Sequence, residues 1–281
     1  MTNSNYAATQ IQNPQRRKFL GTGAKAVLWS VFGSGVCSLV TSCKDNSHKT
    51  ADTKQQNLES VLKEDDRSAA ITKEALDLYR SADNYSSKQK QGEIYKKSYH
   101  AFERAIKVSR AEAEAMDWSN PDLKVQFLSA YTNALMWESD LLRKSADKKF
   151  KVIDGGESIE LGLENIPPIK VDIRKNEAWS ASLYKALVNY KKVEEIYFEI
   201  AERGSTLPKY IAPTVLGGHD GAVATPEILY NRQIKTMNPL IARGTIYHQK
   251  LEEELNGISE RQKKLTSQFE INAVKKQKQI Y

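Results

Sequence analysis

Seven residues between 179 and 200 do most to constrain the fold. Trp179, Leu183, Ala186, Tyr190, Val193, Tyr197 and Ile200 recur at alternating intervals of four and three without a miss. Only an α-helix gathers that spacing onto one face. Gly204 follows, a residue suited to the left-handed backbone that closes a helix. An aromatic stripe of this kind is first of all a core face. Its alternative use is as one wall of a small-molecule groove, with Trp179, Tyr190 and Tyr197 as the contact residues.

The same periodicity runs through much of the chain. Ile71, Ala75, Leu78, Ala82 and Tyr85 form one stripe, with Ser68 placed to cap its start. After the polar loop SSKQKQG, a second helix is expected over residues 93–117. Ser98, Phe102, Ala105 and Ser109 line its face, with Tyr95 and Ile106 beside it. Asn120-Pro121 breaks the chain. A third helix then runs to Arg143, with Leu123, Phe127, Ala130, Tyr131, Ala134, Leu141 and Leu142 inward. Thr225-Pro226 reads as N-cap and first helical residue. Asn238-Pro239 repeats the device, either kinking that helix or starting another. A last helix is expected from there towards residue 275. In it Leu251, Leu255, Ile258, Leu265 and Phe269 follow a heptad, with Gln262 at the one polar seam position and Gly257 weakening it. Core packing within the chain is its expected use, with dimerisation second.

Residues 144–175 lack this pattern. The runs FKVI and IKVDI, separated by Gly155-Gly156 and Pro167-Pro168, predict a small hairpin or extended excursion between helices. The predicted class is therefore all-α, a helical bundle or helix-hairpin array with a small β-like excursion near 150–173. Ser98, Phe102, Ala105 and Ile106 resemble the second helix of a tetratricopeptide repeat. The resemblance covers one helix and does not extend to a 34-residue repeat.

The first 43 residues carry a different message. Arg16, Arg17 and Lys18 precede an uncharged run, residues 26–42, which is the layout of an export signal. Arg16-Arg17-Lys18-Phe19-Leu20 resembles the twin-arginine export motif, with Gln15 and Gly21 where serine and lysine are usual. The run is only mildly apolar and is marginal for a permanent span. It ends at Val40-Thr41-Ser42-Cys43, which resembles the lipobox of bacterial lipoproteins. That resemblance implies lipid attachment through the Cys43 sulfur, including palmitate, with Cys37 the poorer candidate. Lys44 in the next position, by resemblance to diderm lipoproteins, favours the outer membrane. Residues 1–42 then form a cleaved signal, 43–66 a lipidated flexible tether, and 67–281 a single helical domain facing the periplasm.

Composition supports this division. The chain holds 42 basic and 35 acidic residues, a formal charge of +7. Four of the basic residues lie in the signal, leaving 38 against 35 in the mature chain. That balance argues against a nucleic-acid partner. No cysteine follows Cys43, so the body relies on its own core without disulfides.

Chemistry-bearing patterns are few. His48, His100, His219 and His248 never stand three or four residues apart, so no helix offers a paired metal site. Gly217-Gly218-His219-Asp220-Gly221 is the one pocket-like text, and it reads as an exposed turn rather than an acid–base site. The acidic residues read as solvated helix faces shared with lysines. The expectation is a non-enzymatic envelope lipoprotein without cofactor. It would meet the membrane through its lipid and a protein partner through its helices. The alternative is a solute-binding or transporter-accessory lipoprotein holding a small apolar ligand between aromatic helix faces.

Overall fold

The computed structural model describes residues 68–154, 158–163, 166–172, 178–211, 221–245 and 247–278. The export motif, Cys43, the tether and the His219 loop lie outside the described residues. The fold is all-α with a small β excursion, as the periodicity requires. Helix α1 (Ser68–Ser81) leads through a 3-10 turn (Ala82–Asn84) to α2 (Lys88–Ala115) and α3 (Pro121–Asp147). Strands β1 (Ser158–Leu163) and β2 (Ile166–Asp172) form an antiparallel hairpin, pairing Leu161 with Ile169. Then come α4 (Ala178–Glu202), a two-residue ribbon of β3 (Tyr210–Ile211) and β4 (Gly221–Ala222), α5 (Pro226–Ala242) and α6 (His248–Lys278).

Each helix packs chiefly on a sequence neighbour: α1 on α2, α2 on α3, α3 on α4, and α4, α5 and α6 on one another. Small residues let α1 and α2 approach closely. Ala75 of α1 and Ala101 and Ala105 of α2 are buried, and the Ser98 hydroxyl donates to the Ala75 carbonyl at 2.8 Å. The main core runs along α3 and α4. Six tyrosines are almost fully buried: Tyr95, Tyr99, Tyr184, Tyr190, Tyr197 and Tyr230. A buried phenol needs a partner for its hydroxyl. Tyr95 donates to Asp83 at 3.0 Å, Tyr99 to Glu103 at 2.7 Å, and Tyr184 to Thr245 at 2.9 Å.

Thr225 is the cap expected for α5, and Asn120, expected only as a break, caps α3. Asn120 accepts from the Leu123 N–H at 3.2 Å, and Thr225 from the Ile228 N–H at 3.3 Å, each with proline next in sequence. Ser68 works differently. It is already helical, and its hydroxyl and N–H both donate to the Glu112 carboxylate of α2. One orphan donor of the first turn is thus met by a neighbouring helix, and an anion sits at the favourable end of the dipole. Lys124 does the reverse at the end of α2. Its ammonium donates to the Ala113 and Met116 carbonyls at 2.8 Å each.

Several expectations are corrected. Helix α2 begins at Lys88, because Ser87 caps it by accepting from the Lys90 N–H and the Lys and Gln that follow are good helix formers. Tyr85 lies beyond the end of α1 and is not part of its stripe. Leu123 is 39 % exposed, since the first turn of α3 projects past the core. Pro239 is carried inside α5, and the break comes later. Gly244, at φ +58°, turns the chain, with Gly244 N–H on Ile241 O and Thr245 N–H on Leu240 O. Gly204, at φ +75°, ends α4 by the same double bond pattern.

A third copy of that motif ends α3, where Lys149 holds φ +60° with its N–H on Ala146 O and Phe150 N–H on Ser145 O. A side chain in this region costs about 1 kcal/mol that glycine does not incur. Lys149 is exposed. Lys149→Gly is therefore expected to raise unfolding free energy by about 0.5–1 kcal/mol in urea denaturation, against the usual cost of adding glycine.

Candidate functional site

Of the three aromatic residues singled out on α4, Tyr190 and Tyr197 are fully buried in the core. The Tyr197 hydroxyl donates to Ala224 O at 2.6 Å, and its ring meets Phe269 edge-on at 6.4 Å. The Tyr190 hydroxyl is buried beside Asp140 and Arg143. Burial pushes both phenols up. Trp179 is half-buried at the start of the helix, with the Arg243 guanidinium 4.3 Å above its ring. Tyr190 and Tyr197 thus lie within the packed core, and Trp179 lies at its edge.

An open apolar groove of about 490 Å³ lies elsewhere, between the segment after α4, the β3–β4 ribbon and the C-terminal half of α6. Leu207, Tyr210, Val223, Phe269 and Ala273 line it, with Lys209 and Glu270 also on its wall. Sequence reading missed it because its walls come from three segments distant in the chain.

The most organised polar site joins α4, α5 and α6. Glu194 of α4 and Glu254 of α6 have side chains only 6 % and 4 % exposed. This corrects the reading of the acidic residues as solvated faces. Glu194 Oε1 accepts from Arg261 Nε at 2.8 Å and from the Tyr230 hydroxyl at 3.0 Å. Its Oε2 accepts from Gln233 Nε2 at 3.0 Å and faces Lys191 Nζ at 3.3 Å. Lys191 and Arg261 both also bond Glu254 Oε1. Two carboxylates and two cations thus balance. Burial alone would raise the Glu194 pKa, but Lys191, Gln233, Arg261 and Tyr230 outweigh it and hold the carboxyl below its ordinary value. Near it, burial and, after it, the Glu194 charge push the Tyr230 phenol up. A carboxylate this fully engaged by donors is a poor general base, and its ion pairs hold helices together.

A second buried pair ties α3 to α4, where Asn189 Nδ2 donates to Glu138 Oε2 at 2.5 Å. Asp140 meets Arg232 at 2.8 Å, joining α3 to α5. Burial raises the Asp140 pKa despite Arg232 and Arg143 beside it. Asn272 of α6 donates to the Ala201 and Ser205 carbonyls at 2.8 and 2.9 Å, closing the end of α4.

The described histidines are accounted for by local bonds. His100, on the surface, meets Glu103 at 3.3 Å and Asp154 at 3.4 Å, and His248 Nδ1 pairs with Thr245 O at 2.9 Å. Among the described residues there is no group of three His, Cys, Asp or Glu placed to hold a metal. No protein-family model matches the chain, and no curated protein and no solved structure proves significantly similar to it.

Proposed function

We propose that the chain is a lipid-anchored protein of the bacterial envelope whose helical body acts as an adaptor, scaffold or accessory subunit for partner proteins. The run from Arg16 to Cys43 carries this reading. A basic pair followed by Phe19-Leu20, a mild apolar stretch and a terminal thiol suits export and then thioether lipidation. The helical body is consistent with it. Local contacts favour fast folding, and twin-arginine export carries proteins that are already folded. Among the described residues no helix is long and apolar enough to cross a membrane, so in this reading the lipid supplies the attachment.

The test of the function is in-cell crosslinking of the full chain, followed by purification and identification of what co-purifies. A defined envelope protein recovered in constant ratio supports the adaptor role. Recovery of the chain alone, at every crosslinker length, counts against it. The export route has its own test. Replacing both Arg16 and Arg17 with lysine is expected to leave the protein as a cytoplasmic precursor, with most of the envelope material lost on fractionation. Normal delivery would point to general secretion.

The apolar groove favours a second reading, in which the body holds a small apolar ligand. The contact residues would then be Leu207, Val223 and Phe269 rather than Trp179, Tyr190 and Tyr197. Co-purification of an apolar small molecule, lost in Phe269→Ala with the helical circular dichroism kept, would select it.

A further inference from the structure

We propose that the buried charges of α4 and α6 decide the register in which the C-terminal helix is seated, because its apolar seam alone would accept a slide of one heptad. Leu251, Ile258, Leu265 and Asn272 stand seven residues apart and are all at most 2 % exposed. Moving α6 by one heptad, about 10 Å along its axis, places one aliphatic residue in the site of another. A forward slide carries Leu251 to the site of Ile258 and Ile258 to that of Leu265. A backward slide carries Ile258 and Leu265 the other way. An apolar helix face with this repeat distinguishes its seatings weakly, and a few polar seam residues commonly supply the distinction.

The charges repeat at the same interval with opposite signs. Glu254 and Arg261 are also seven apart, on the shoulder beside the seam. In the observed register Arg261 faces Glu194 and Glu254 faces Lys191. A forward slide would bring Glu254 to the place of Arg261, carboxylate against the Glu194 carboxylate. A backward slide would bring Arg261 to the place of Glu254, guanidinium against the Lys191 ammonium. Both errors put like charges together away from water, where the repulsion is least screened. Asn272 adds a second penalty. A forward slide replaces it with Leu265, leaving the Ala201 and Ser205 carbonyls without their donor, and a backward slide pushes it into the buried site of Leu265. Gln262 contributes in the same sense, since a forward slide takes it to the place of Phe269 against Tyr197.

Exchanging the two charges on α6 tests this. In the full chain with Cys37→Ser and Cys43→Ser, spin labels on cysteines at the exposed positions 192 and 275 give a separation dominated by its axial part. The parent should show one distance. Glu254→Arg with Arg261→Glu makes the observed register the repulsive one and either slid register the attractive one. The distance should then shift by up to about 10 Å or broaden over two registers. Adding Lys191→Glu and Glu194→Lys restores opposite charges in the original seating, and should return the parent distance and melting midpoint. If the α6 exchange alone keeps the parent distance and stability, the proposal is overturned. It is also overturned if the exchange unfolds α6 and the four-residue variant fails to recover it, since the residues would then matter for shape and not for sign.

Discussion

Glu194→Ala is expected to lower the unfolding free energy by about 3–5 kcal/mol, because removing one member of a buried ion network leaves its partners charged and desolvated. The geometry places this loss at one carboxylate. Arg261, Lys191, Tyr230 and Gln233 all donate to or pair with Glu194, and its side chain is 6 % exposed. After truncation, Lys191 and Arg261 share Glu254 alone, and two buried donors lose their acceptor. Surface pairs offer a control. Arg110 and Glu114 are more than 60 % exposed on α2, and Glu114→Ala should change stability by no more than about 0.5 kcal/mol. Urea denaturation of both variants checks the contrast. Equal effects would mean that α4, α5 and α6 do not depend on the buried network.

The network also fixes the sign of an acid response. The Glu194 carboxyl is held below its ordinary value of 4.5. Its contribution is therefore complete above that unfolded-state value and is lost as pH falls through the lower folded-state value. Stability measured from about pH 6 downward should fall below about pH 4.5, and Glu194→Gln should flatten that fall. Asp83, lowered to about 2 by Lys144 and Lys148, acts in the same direction but on the surface, so salt should screen its part. Asp140 opposes both. Burial raises its pKa, so protonation on acidification favours the folded form. A profile that is flat in the parent across this range would contradict the assignment of Glu194 as an ionised, paired group.

What the sequence made legible follows from what is local. The stripe from Trp179 to Ile200, the break at Asn120-Pro121, the cap at Thr225 and the stop at Gly204 are each decided within one or two helical turns, and each is found in place. The break at Gly244 was hidden because apolar residues continue on both sides of it, and Pro239 drew attention to the wrong residue. The end of α3 was hidden because Lys149 takes a backbone conformation that glycine usually announces. The charge network was hidden for a different reason. Lys191 and Glu194, three apart, look like any solvated helical pair, and only tertiary packing shows that α6 covers them. One signal was present. Glu254 and Arg261 each follow a seam residue, Leu251 and Ile258, by three positions. They therefore share the buried face, with Leu255 and Phe269 on its other shoulder. A polar shoulder beside an apolar seam, with opposite charges one heptad apart, is the pattern to look for in such a helix.

From the proposed lipid anchor it follows that Cys43→Ser should abolish membrane attachment. The attachment chemistry needs a sulfur nucleophile, and a serine hydroxyl does not replace it at neutral pH. Each acyl methylene placed in the bilayer contributes about 0.8 kcal/mol, and one chain binds only reversibly where two hold firmly. Losing the thiol therefore removes the whole anchor in one step, while the helical body, described from Ser68 onward, keeps its own core. Cells fed an alkyne analogue of palmitate should label the parent and Cys37→Ser equally and leave Cys43→Ser unlabelled. On fractionation the serine variant should move from the membrane pellet to the soluble fraction, with the parent's helical circular dichroism once purified. Label lost in Cys37→Ser but kept in Cys43→Ser would move the anchor six residues upstream, to the cysteine that follows Val36. A parent that takes no label would remove the anchor and with it the envelope placement. The partner search would then have to begin from the helical surface alone.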